Sequence, residues 1–484
     1  MVYTKYSNLE QKTKEEMGMQ RNRGITLIAL IITIVVMLIL VAVSVNVLIK
    51  SNLIGTAEKT VNKYKTASED EGNNGVIEIN GKQYNSIDDY MEGKEKLPDI
   101  AAGARADKDS NYNGVTIPRG FTVSGIKDEQ NKDNGLVIYD IPQADLEKKG
   151  DDFWTETIKV GTEDYPKVQC DYNQFVWVPV ETPYVTKAEL DKIINDSNGT
   201  ITTEKEAVQS LANSGKYPMA VQLSNGTDYK GILYTFSEEN GILNAVVVKF
   251  NTSDNYIDDS VTYFREPNRL SSKVSSCVDQ TVEQTLDLQN EYNKIVESVK
   301  KQKGFWVARY ELSHSTINSI NKAESKRGKS VSSADSSSLN KWYGLYSTCH
   351  NVNLKNETEI KSCMIYGSQW DQIMIWMKNV KNIKDSSKYY VIDGSYMGNY
   401  DTATGGTGPP QVSGYKDDYA VKQIFDLGGN LYDWTVEAYQ THIRVLRGYS
   451  CNGKGFGNPP LFRSIDKPES TNNLFSARFT LYLS

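Results

Sequence analysis

The chain has 484 residues, enough for two or three domains, and its formal net charge is −7. That acidic balance argues against a nucleic-acid-binding protein, whose binding surface is basic, so no nucleic-acid partner is expected. Five cysteines without CxxC spacing and three scattered histidines argue against a zinc site or a dense disulfide framework. Thirty tyrosines against twelve phenylalanines are typical of a recognition surface or of a β-rich protein with half-buried strands, and both interpretations stay open.

An apolar segment near the N-terminus interrupts this polar composition. Ile25 to Ile49 holds 25 residues without a charge, a proline or a glycine. As a helix it would span roughly 37 Å, which is enough to cross the hydrocarbon core of a bilayer. It is too long for the apolar core of a secretory signal. The sequence therefore predicts a single-pass membrane protein, with basic residues on both sides of the segment leaving the orientation open.

Beyond this segment the pattern changes from polar to globular. Asn80-Gly81, between two alternating runs, predicts a β-hairpin, and the polar residues of 91–113 predict a linker. From about Asn113 the runs GLVIYDI and NQFVWVPV predict buried strands. The polar composition of about 182–280 predicts an insertion with its own short strands.

Two helices are predicted in the second half of the chain. The first presents one apolar face and ends at Gly304; that face consists of Leu288, Tyr292, Ile295, Val296 and Val299. The second begins near Ser368, with Ser368 and Asp371 as a capping pair; its inward residues are Trp370, Ile373, Met374 and Met377. Because helices and strands alternate irregularly, the sequence favours an α+β fold over a parallel sheet.

The run RNRGITLIALIITIVVMLIL at 21–40 resembles the N-terminus of type IV prepilins. The resemblance implies cleavage between Gly24 and Ile25 by a prepilin peptidase, other pilins as partners, and a C-terminal part outside the cell membrane, at the cell surface. Ala29 stands where filament-forming pilins usually carry a glutamate, whose charge pairs with a neighbouring subunit. A plain membrane anchor is the alternative interpretation.

Stretches of the second half resemble, in order, the formylglycine-generating enzyme or sulfatase-modifying factor family, which has a variant of the C-type lectin fold. They are GFWVARYELS at 304–313, MIYGSQWDQIMIWM at 364–377, IFDLGGNLYDWTVEA at 424–438, and RVLRGYS, FRSIDKP and SARFTLYL within 444–483. The expected fold class is therefore α+β, a transmembrane pilin-like helix followed by a C-type lectin-like domain with an insertion. The expected organisation is a leader over 1–24, the helix over 25–66, a hairpin and linker over 67–112, and the domain over 113–484.

The most specific of these stretches, DLGGNLYDWT, has a chemical interpretation of its own. Asp426 and Asp433 lie seven residues apart on a glycine-bent segment, and two carboxylates with intervening backbone oxygens suit calcium. The resemblance implies the same ligands, namely Asp426, Gly429, Leu431 and Asp433. The alternative is that both aspartates cap turns while Trp434 fills the core.

The catalytic chemistry of that family is not expected here. Its cysteine pair would fall on Gly453 and Asn458, whereas Cys451 stands two residues too early and has no partner nearby. Without a thiol pair or a histidine cluster, neither copper nor iron is expected. A formylglycine-generating enzyme remains one rival interpretation, and a structural pilin subunit is another.

The expected function is that of a non-catalytic ligand-binding or adhesion protein, with an unidentified protein or glycan as ligand. Members of this fold that are diversified by retroelements vary the same C-terminal stretch, so a diversified receptor is one form of the prediction. Its outward residues are predicted to be Tyr449, Asn452, Phe456, Phe462, Ile465, Asp466, Asn472 and Asn473. Arg447, Trp434, Phe479 and Tyr482 are expected to form the buried frame; an ordinary solvated loop set is the alternative for the display residues.

Overall fold

The structure is a computed structural model. It describes residues 76–91, 95–223, 225–249, 287–329, 341–356, 358–395, 398–400, 408–440, 443–453 and 459–483. The chain divides into two compact units, Met1–Lys96 and Leu97–Ser484. The leader over 1–24, with Gly24, and the helix over 25–66, with Ile25, lie outside the described residues.

The described part of the first unit is a hairpin followed by a short helix. Strands β1 (Ile77–Ile79) and β2 (Lys82–Tyr84) pair antiparallel, and helix α1 covers Ile87–Met91. Asn80 and Gly81 adopt the left-handed backbone that a two-residue hairpin turn requires. The hairpin predicted from Asn80-Gly81 is therefore confirmed.

The second unit opens with a series of short strands and helices. In chain order they are β3 (Ser110–Tyr112), β4 (Val115–Ile117), β5 (Thr122–Val123), a 3₁₀ turn (Lys127–Glu129), β6 (Val137–Tyr139), α2 (Gln143–Glu147), β7 (Thr157–Val160), β8 (Glu163–Pro166), α3 (Lys167–Asp171) and β9 (Gln174–Pro179). Strands β6 and β9 are the predicted runs GLVIYDI and NQFVWVPV, and their apolar side chains are buried.

The described part of the insertion predicted over about 182–280 holds two helices and two small sheets. Its elements are β10 (Tyr184–Val185), α4 (Lys187–Asp196), α5 (Glu204–Asn213), β11 (Ala220–Gln222), β12 (Tyr229–Gly231), β13 (Leu233–Glu239) and β14 (Ile242–Lys249). Thr186 and Thr203 begin the two helices with capping boxes completed by Glu189 and Glu206. The helices pack over the β13–β14 hairpin around a second hydrophobic cluster that includes Leu190.

The chain then returns to the main layers. The next elements are α6 (Leu288–Gln302), β15 (Gly304–Ala308), β16 (Ser313–Ile317), β17 (Ile320–Glu324), α7 (Trp342–Cys349), β18 (Ile360–Met364) and α8 (Gly367–Met377). The apolar face predicted for α6 is buried as expected. The helix ends at Gln302 and is capped by Lys303 in the left-handed conformation, so the predicted stop at Gly304 lies one residue beyond this cap.

Helix α8 differs from its prediction at the N-terminus. The side chain of Gln369 accepts a hydrogen bond from the Tyr366 backbone N–H at 3.0 Å. Ser368 instead contacts the Tyr292 hydroxyl at 3.0 Å, and Asp371 pairs with two arginines. Ser368 and Asp371 are therefore not a capping pair, because tertiary partners take both side chains.

The last elements complete two sheets. They are a 3₁₀ turn (Asp417–Tyr419), β19 (Ala420–Val421), β20 (Ile424–Phe425), β21 (Tyr432–Gln440), β22 (Ile443–Arg447), β23 (Arg463–Asp466), β24 (Phe475–Ala477) and β25 (Phe479–Leu483). The six-stranded sheet has the order β18-β25-β15-β9-β6-β5, and the four-stranded sheet has the order β23-β22-β21-β24. The main hydrophobic core includes side chains of both sheets and of helices α6, α7 and α8.

The predicted fold class is corrected on one point. Among the described ranges of the chain, no helix has the length and apolar character to cross a membrane, and the architecture is mostly β-sheet with few helices. The transmembrane pilin-like helix and the single-pass membrane location are therefore not supported. The apolar run over 25–49 on which both rested is outside the described residues.

The centre of the six-stranded sheet yields a stability prediction. A β-carbon at Gly304 would lie 2.3 Å from the Trp177 ring and 2.5 Å from the Val178 carbonyl oxygen. Because both neighbours belong to the paired strand β9, Gly304→Ala should lower the free energy of unfolding by about 1–3 kcal/mol. Lys301→Ala, at an exposed position of α6, is the control. Equal melting temperatures for Gly304→Ala and the wild type would contradict this packing.

Candidate functional site

A buried network of four charged side chains supports the four-stranded sheet. Arg447 donates to Asp371 at 2.9 Å and to Glu437 at 3.1 Å. Arg463 donates to the same two carboxylates, at 2.9 and 3.2 Å. The network joins α8, β21, β22 and β23, and its two positive and two negative charges balance. Removing one member of such a buried group leaves an unpaired charge and typically costs about 3–5 kcal/mol.

The four residues predicted to form the frame are buried, and Arg447 among them belongs to this network. Trp434, Arg447 and Phe479 are fully buried, and Tyr482 is nearly so. Trp370 of α8 donates its indole N–H to the Pro460 carbonyl at 3.0 Å, which attaches the start of the C-terminal stretch to the helix. The segment that leads into β23 is therefore positioned by buried contacts.

An aromatic cluster lies on this frame and is only half buried. The ring of Tyr449 is 5.0 Å from that of Tyr432 and 5.0 Å from that of Phe462, measured between centroids. Tyr432 also hydrogen-bonds with the side chains of Ser450 and Ser464. We call Tyr432, Tyr449, Asn452, Phe462 and Ser464 the display face; all five side chains are partly or fully exposed.

The conformation of Tyr449 is held by its neighbours. Gly448 and Tyr449 both take the left-handed backbone, which is uncommon for tyrosine. A β-carbon at Gly453 would lie 2.2 Å from the Tyr449 ring, so the glycine leaves the space in which that ring lies. The bend at 448–453 therefore places an aromatic ring on the surface.

The structure brings together only part of the predicted ligand-binding set. Tyr449 and Phe462 are in contact, and Asn452 is exposed close by in the same turn. Asp466 accepts hydrogen bonds from the Lys467 N–H and the Ser470 hydroxyl, and Asn472 accepts one from the Leu474 N–H. Asn472 and Asn473 are exposed, and Phe456 lies outside the described residues.

Ile465 is exposed but faces differently. It follows Ser464 on strand β23, and successive strand residues point to opposite sides of a sheet. Ser464 hydrogen-bonds with Tyr432, so Ile465 points away from the display face. The sequence interpretation missed Tyr432 and Ser464, because both belong to strands whose alternation also suits ordinary sheet residues.

The predicted calcium residues lie in a second, acidic cluster. Asp426 and Asp433 are buried with Glu311, which lies in the loop after β15. Burial raises the pKa of Glu311, and the negative charges of the two aspartates raise it further. Arg478 donates to Asp433 at 3.2 Å, and Asp426 accepts from the Gly414 N–H at 2.8 Å. Three carboxylates against this one guanidinium leave an excess of negative charge that protons or a cation would neutralise.

The fit of this cluster to calcium is partial. One carboxylate oxygen of Asp433 is buried without a hydrogen-bond partner in the described part of the chain. Within those same residues, however, no group of three or more aspartate, glutamate, histidine or cysteine side chains is arranged so that it could hold a metal ion. A calcium ion here would need backbone oxygens as well as the two aspartates, as the ligand set Asp426, Gly429, Leu431 and Asp433 proposes.

Calcium binding at this cluster is a testable proposal. The wild-type chain should melt at a higher temperature in calcium than in chelator. At a hundredfold excess of calcium over its Kd, the free energy of unfolding should rise by about 2.7 kcal/mol. Asp433→Asn, which retains the shape of the side chain, should remove the difference, whereas Asp417→Asn on an exposed turn should keep it. Identical melts of the wild type with calcium and with chelator would eliminate the site.

The same carboxylates predict a dependence of stability on pH. Burial raises the pKa of Asp433 from 3.8 to about 6, although Arg478 opposes the shift. Between those values the folded state holds more protons than the unfolded state, so the free energy of unfolding falls as pH rises. In chelator, wild-type stability should therefore fall from pH 4 to pH 6 more steeply than that of Asp433→Asn, as measured by urea denaturation. Parallel profiles would show that Asp433 does not titrate in this window.

The thiol of Cys451 lies close enough to the acidic cluster to interact with the charge of Glu311. It is buried, and its backbone N–H donates to the Asn430 carbonyl at 2.9 Å. Burial, with a further contribution from the charge of Glu311, raises the pKa of this thiol to about 11. At neutral pH it is therefore a neutral thiol, which is a poor nucleophile and a poor metal ligand.

Comparisons with known proteins add one distant similarity. No family model matches the chain, and no curated protein matches it. The chain is similar to the solved structure of Treponema denticola variable protein 1, at 12% sequence identity. The similarity covers 68% of this chain and 99% of that one, with a TM-score of 0.21. At that score it carries no structural argument, and the fold rests on the strand pairing described above.

Proposed function

We propose that this chain is a ligand-binding protein without catalytic chemistry, and that the display face contacts its protein or glycan ligand. The observation that carries the proposal is the half-buried cluster of Tyr432, Tyr449 and Phe462 beside a charge network that is buried except for the partly exposed Arg463. Aromatic side chains with hydroxyl groups offer contact area and hydrogen bonds at a low entropic cost. Exposed amides of Asn452, Asn472 and Asn473 add polar partners on the same C-terminal stretch.

The charge network holds the backbone next to the display face, and this rigidity favours a binding function for the aromatic cluster. Tyr449 follows Arg447 in sequence by two residues, and Phe462 precedes Arg463 by one, so both display residues are adjacent to members of the buried network. A ligand therefore meets aromatic rings whose backbone is already fixed, which reduces the entropy lost on binding.

The state of Cys451 supports the non-catalytic form of the proposal. An enzyme of the formylglycine-generating type needs a reactive thiol pair, whereas Cys451 is buried with a pKa raised to about 11. Its sulfur contacts the Asn452 amide oxygen at 3.8 Å. The acidic cluster has a structural role in this proposal, which is to hold the segment at 426–433 that contains Tyr432 of the display face.

The division between frame and face also suits a diversified receptor. The charges that fix the strands are buried, while the display side chains lie on turns and on exposed strand positions. Substitutions at Asn452, Asn472 and Asn473 should therefore leave the fold intact, since exposed positions away from such features usually change stability by less than about 0.5 kcal/mol.

The proposal is tested by truncating the display face. Tyr449→Ala with Phe462→Ala should abolish most signals of the wild-type chain on a protein and glycan array, because an aromatic hot spot is worth about 2 kcal/mol or more. Ile465→Ala, which is exposed on the opposite side of β23, is the matched control and should retain them.

The melting temperature separates binding from folding in this experiment. Both rings are half exposed, so the double variant should lose much less than the ~3–5 kcal/mol typical of Phe→Ala in a core. An unfolded double variant would show that these rings are core. A folded double variant with an unchanged array profile would refute the display face.

A further inference from the structure

A second site lies at the edge of the six-stranded sheet. Strand β18 is the outermost strand of that sheet, and a cavity of about 490 Å³ opens beside it. The cavity, which we call the edge cavity, is lined by side chains from β17, from 350–356, from Thr358, from β18 and from β25. It shares no residue with the display face and has a volume typical of sites for small molecules.

The edge cavity carries positive charge. Lys322 of β17 and Lys361 of β18 both line it, and neither forms an ion pair with any described residue. No acidic side chain is among the described residues of its wall. Glu291, which pairs with His350 at 2.5 Å, forms no ion pair with either lysine. Glu359, between the wall residues Thr358 and Ile360, is exposed and forms no ion pair with a described residue. Two unpaired ammonium groups on one cavity favour an anion.

A hydrogen-bonding group on the same wall is also unused. Ser362 is only 4% exposed, and its hydroxyl has no hydrogen-bond partner in the described part of the chain. The backbone N–H of Ile365 donates to the Arg478 carbonyl next to β25. In an antiparallel ladder, the backbone N–H groups of successive residues point alternately to the paired strand and away from it, so the Ser362 N–H points to the free edge of β18. The Ser362 backbone N–H is thus a hydrogen-bond donor at the free edge of β18, beside the cavity.

The remaining wall is apolar. Val352, Leu354 and Ile360 line the cavity, together with the ring of Tyr482. Tyr482 pairs with Lys361 across the β25–β18 ladder, so aromatic ring and ammonium group lie on the same side of the sheet. An anion bound here would meet a charged end and an apolar surface at once.

We propose that the edge cavity binds a small organic carboxylate with an apolar body. Lys322 and Lys361 neutralise the carboxylate, the Ser362 backbone N–H donates a hydrogen bond to it, and the apolar side chains cover the rest of the molecule. The site is independent of the display face, so the failure of one proposal leaves the other standing.

Binding of benzoate to the full-length chain, followed by isothermal titration calorimetry, tests the site. Benzoate should bind saturably, and neutral benzamide, which has nearly the same shape, should bind at least tenfold more weakly. The double variant Lys322→Ala with Lys361→Ala should weaken benzoate binding at least tenfold. Lys216→Ala, an exposed lysine on the insertion, is the matched control and should bind like the wild type.

Each alternative outcome is decisive. Absence of saturable benzoate binding to the folded wild type, or binding that the double lysine variant retains, would overturn the site. Equal binding of benzoate and benzamide would remove the role of charge. Inorganic phosphate that binds as tightly as benzoate would overturn the assignment to an organic carboxylate. Melting curves of the variants should match the wild type, because neither lysine is buried.

Discussion

The four-charge network of Asp371, Glu437, Arg447 and Arg463 is the constraint on which the C-terminal part of the molecule depends. Buried charges are costly unless each meets an opposite partner, and here each arginine meets both carboxylates. The geometry is satisfied only when α8, β21, β22 and β23 take their observed positions together. The backbone before Tyr449 and the backbone after Phe462 are thereby fixed without any contribution from the display side chains.

The acidic cluster, in contrast, is not balanced in charge. Glu311, Asp426 and Asp433 meet Arg478, and burial raises the pKa of each of the three carboxyl groups. The two clusters differ in their consequences because one is balanced in charge and the other is not. The balanced network gives rigidity that should depend little on pH, whereas the unbalanced cluster makes stability depend on protons or on a cation.

Two surfaces with different chemistry result from this arrangement. The display face combines aromatic rings, hydroxyl groups and amides, which suits a broad contact with a macromolecule. The edge cavity combines lysines with apolar walls, which suits a small molecule. The first depends on the charge network, and the second depends on β18 being the outer strand of its sheet, with its free edge turned to the cavity.

Local sequence patterns determined the local elements. Asn80-Gly81 fixed a hairpin, the apolar face from Leu288 to Val299 fixed α6, and dense apolar runs fixed β6 and β9, because turn chemistry and periodicity act between near neighbours. Burial of Trp434, Arg447 and Phe479 was also predictable from the stretches that contain them. The apolar run over 25–49 predicted a membrane helix that the described structure does not support.

What the sequence left open was decided by long-range partners. Asp371 had the spacing of a capping residue, yet arginines 76 and 92 residues away in sequence occupy it, since a buried ion pair outweighs a cap. Tyr432 and Ser464 joined the display face because β21 and β23 flank β22, a neighbourhood that strand alternation cannot reveal. Lys322 and Lys361, which belong to different strands, line one cavity only because of the tertiary fold. Sequence periodicity reports which side of an element is buried, whereas only the tertiary fold decides which buried or exposed sides come together.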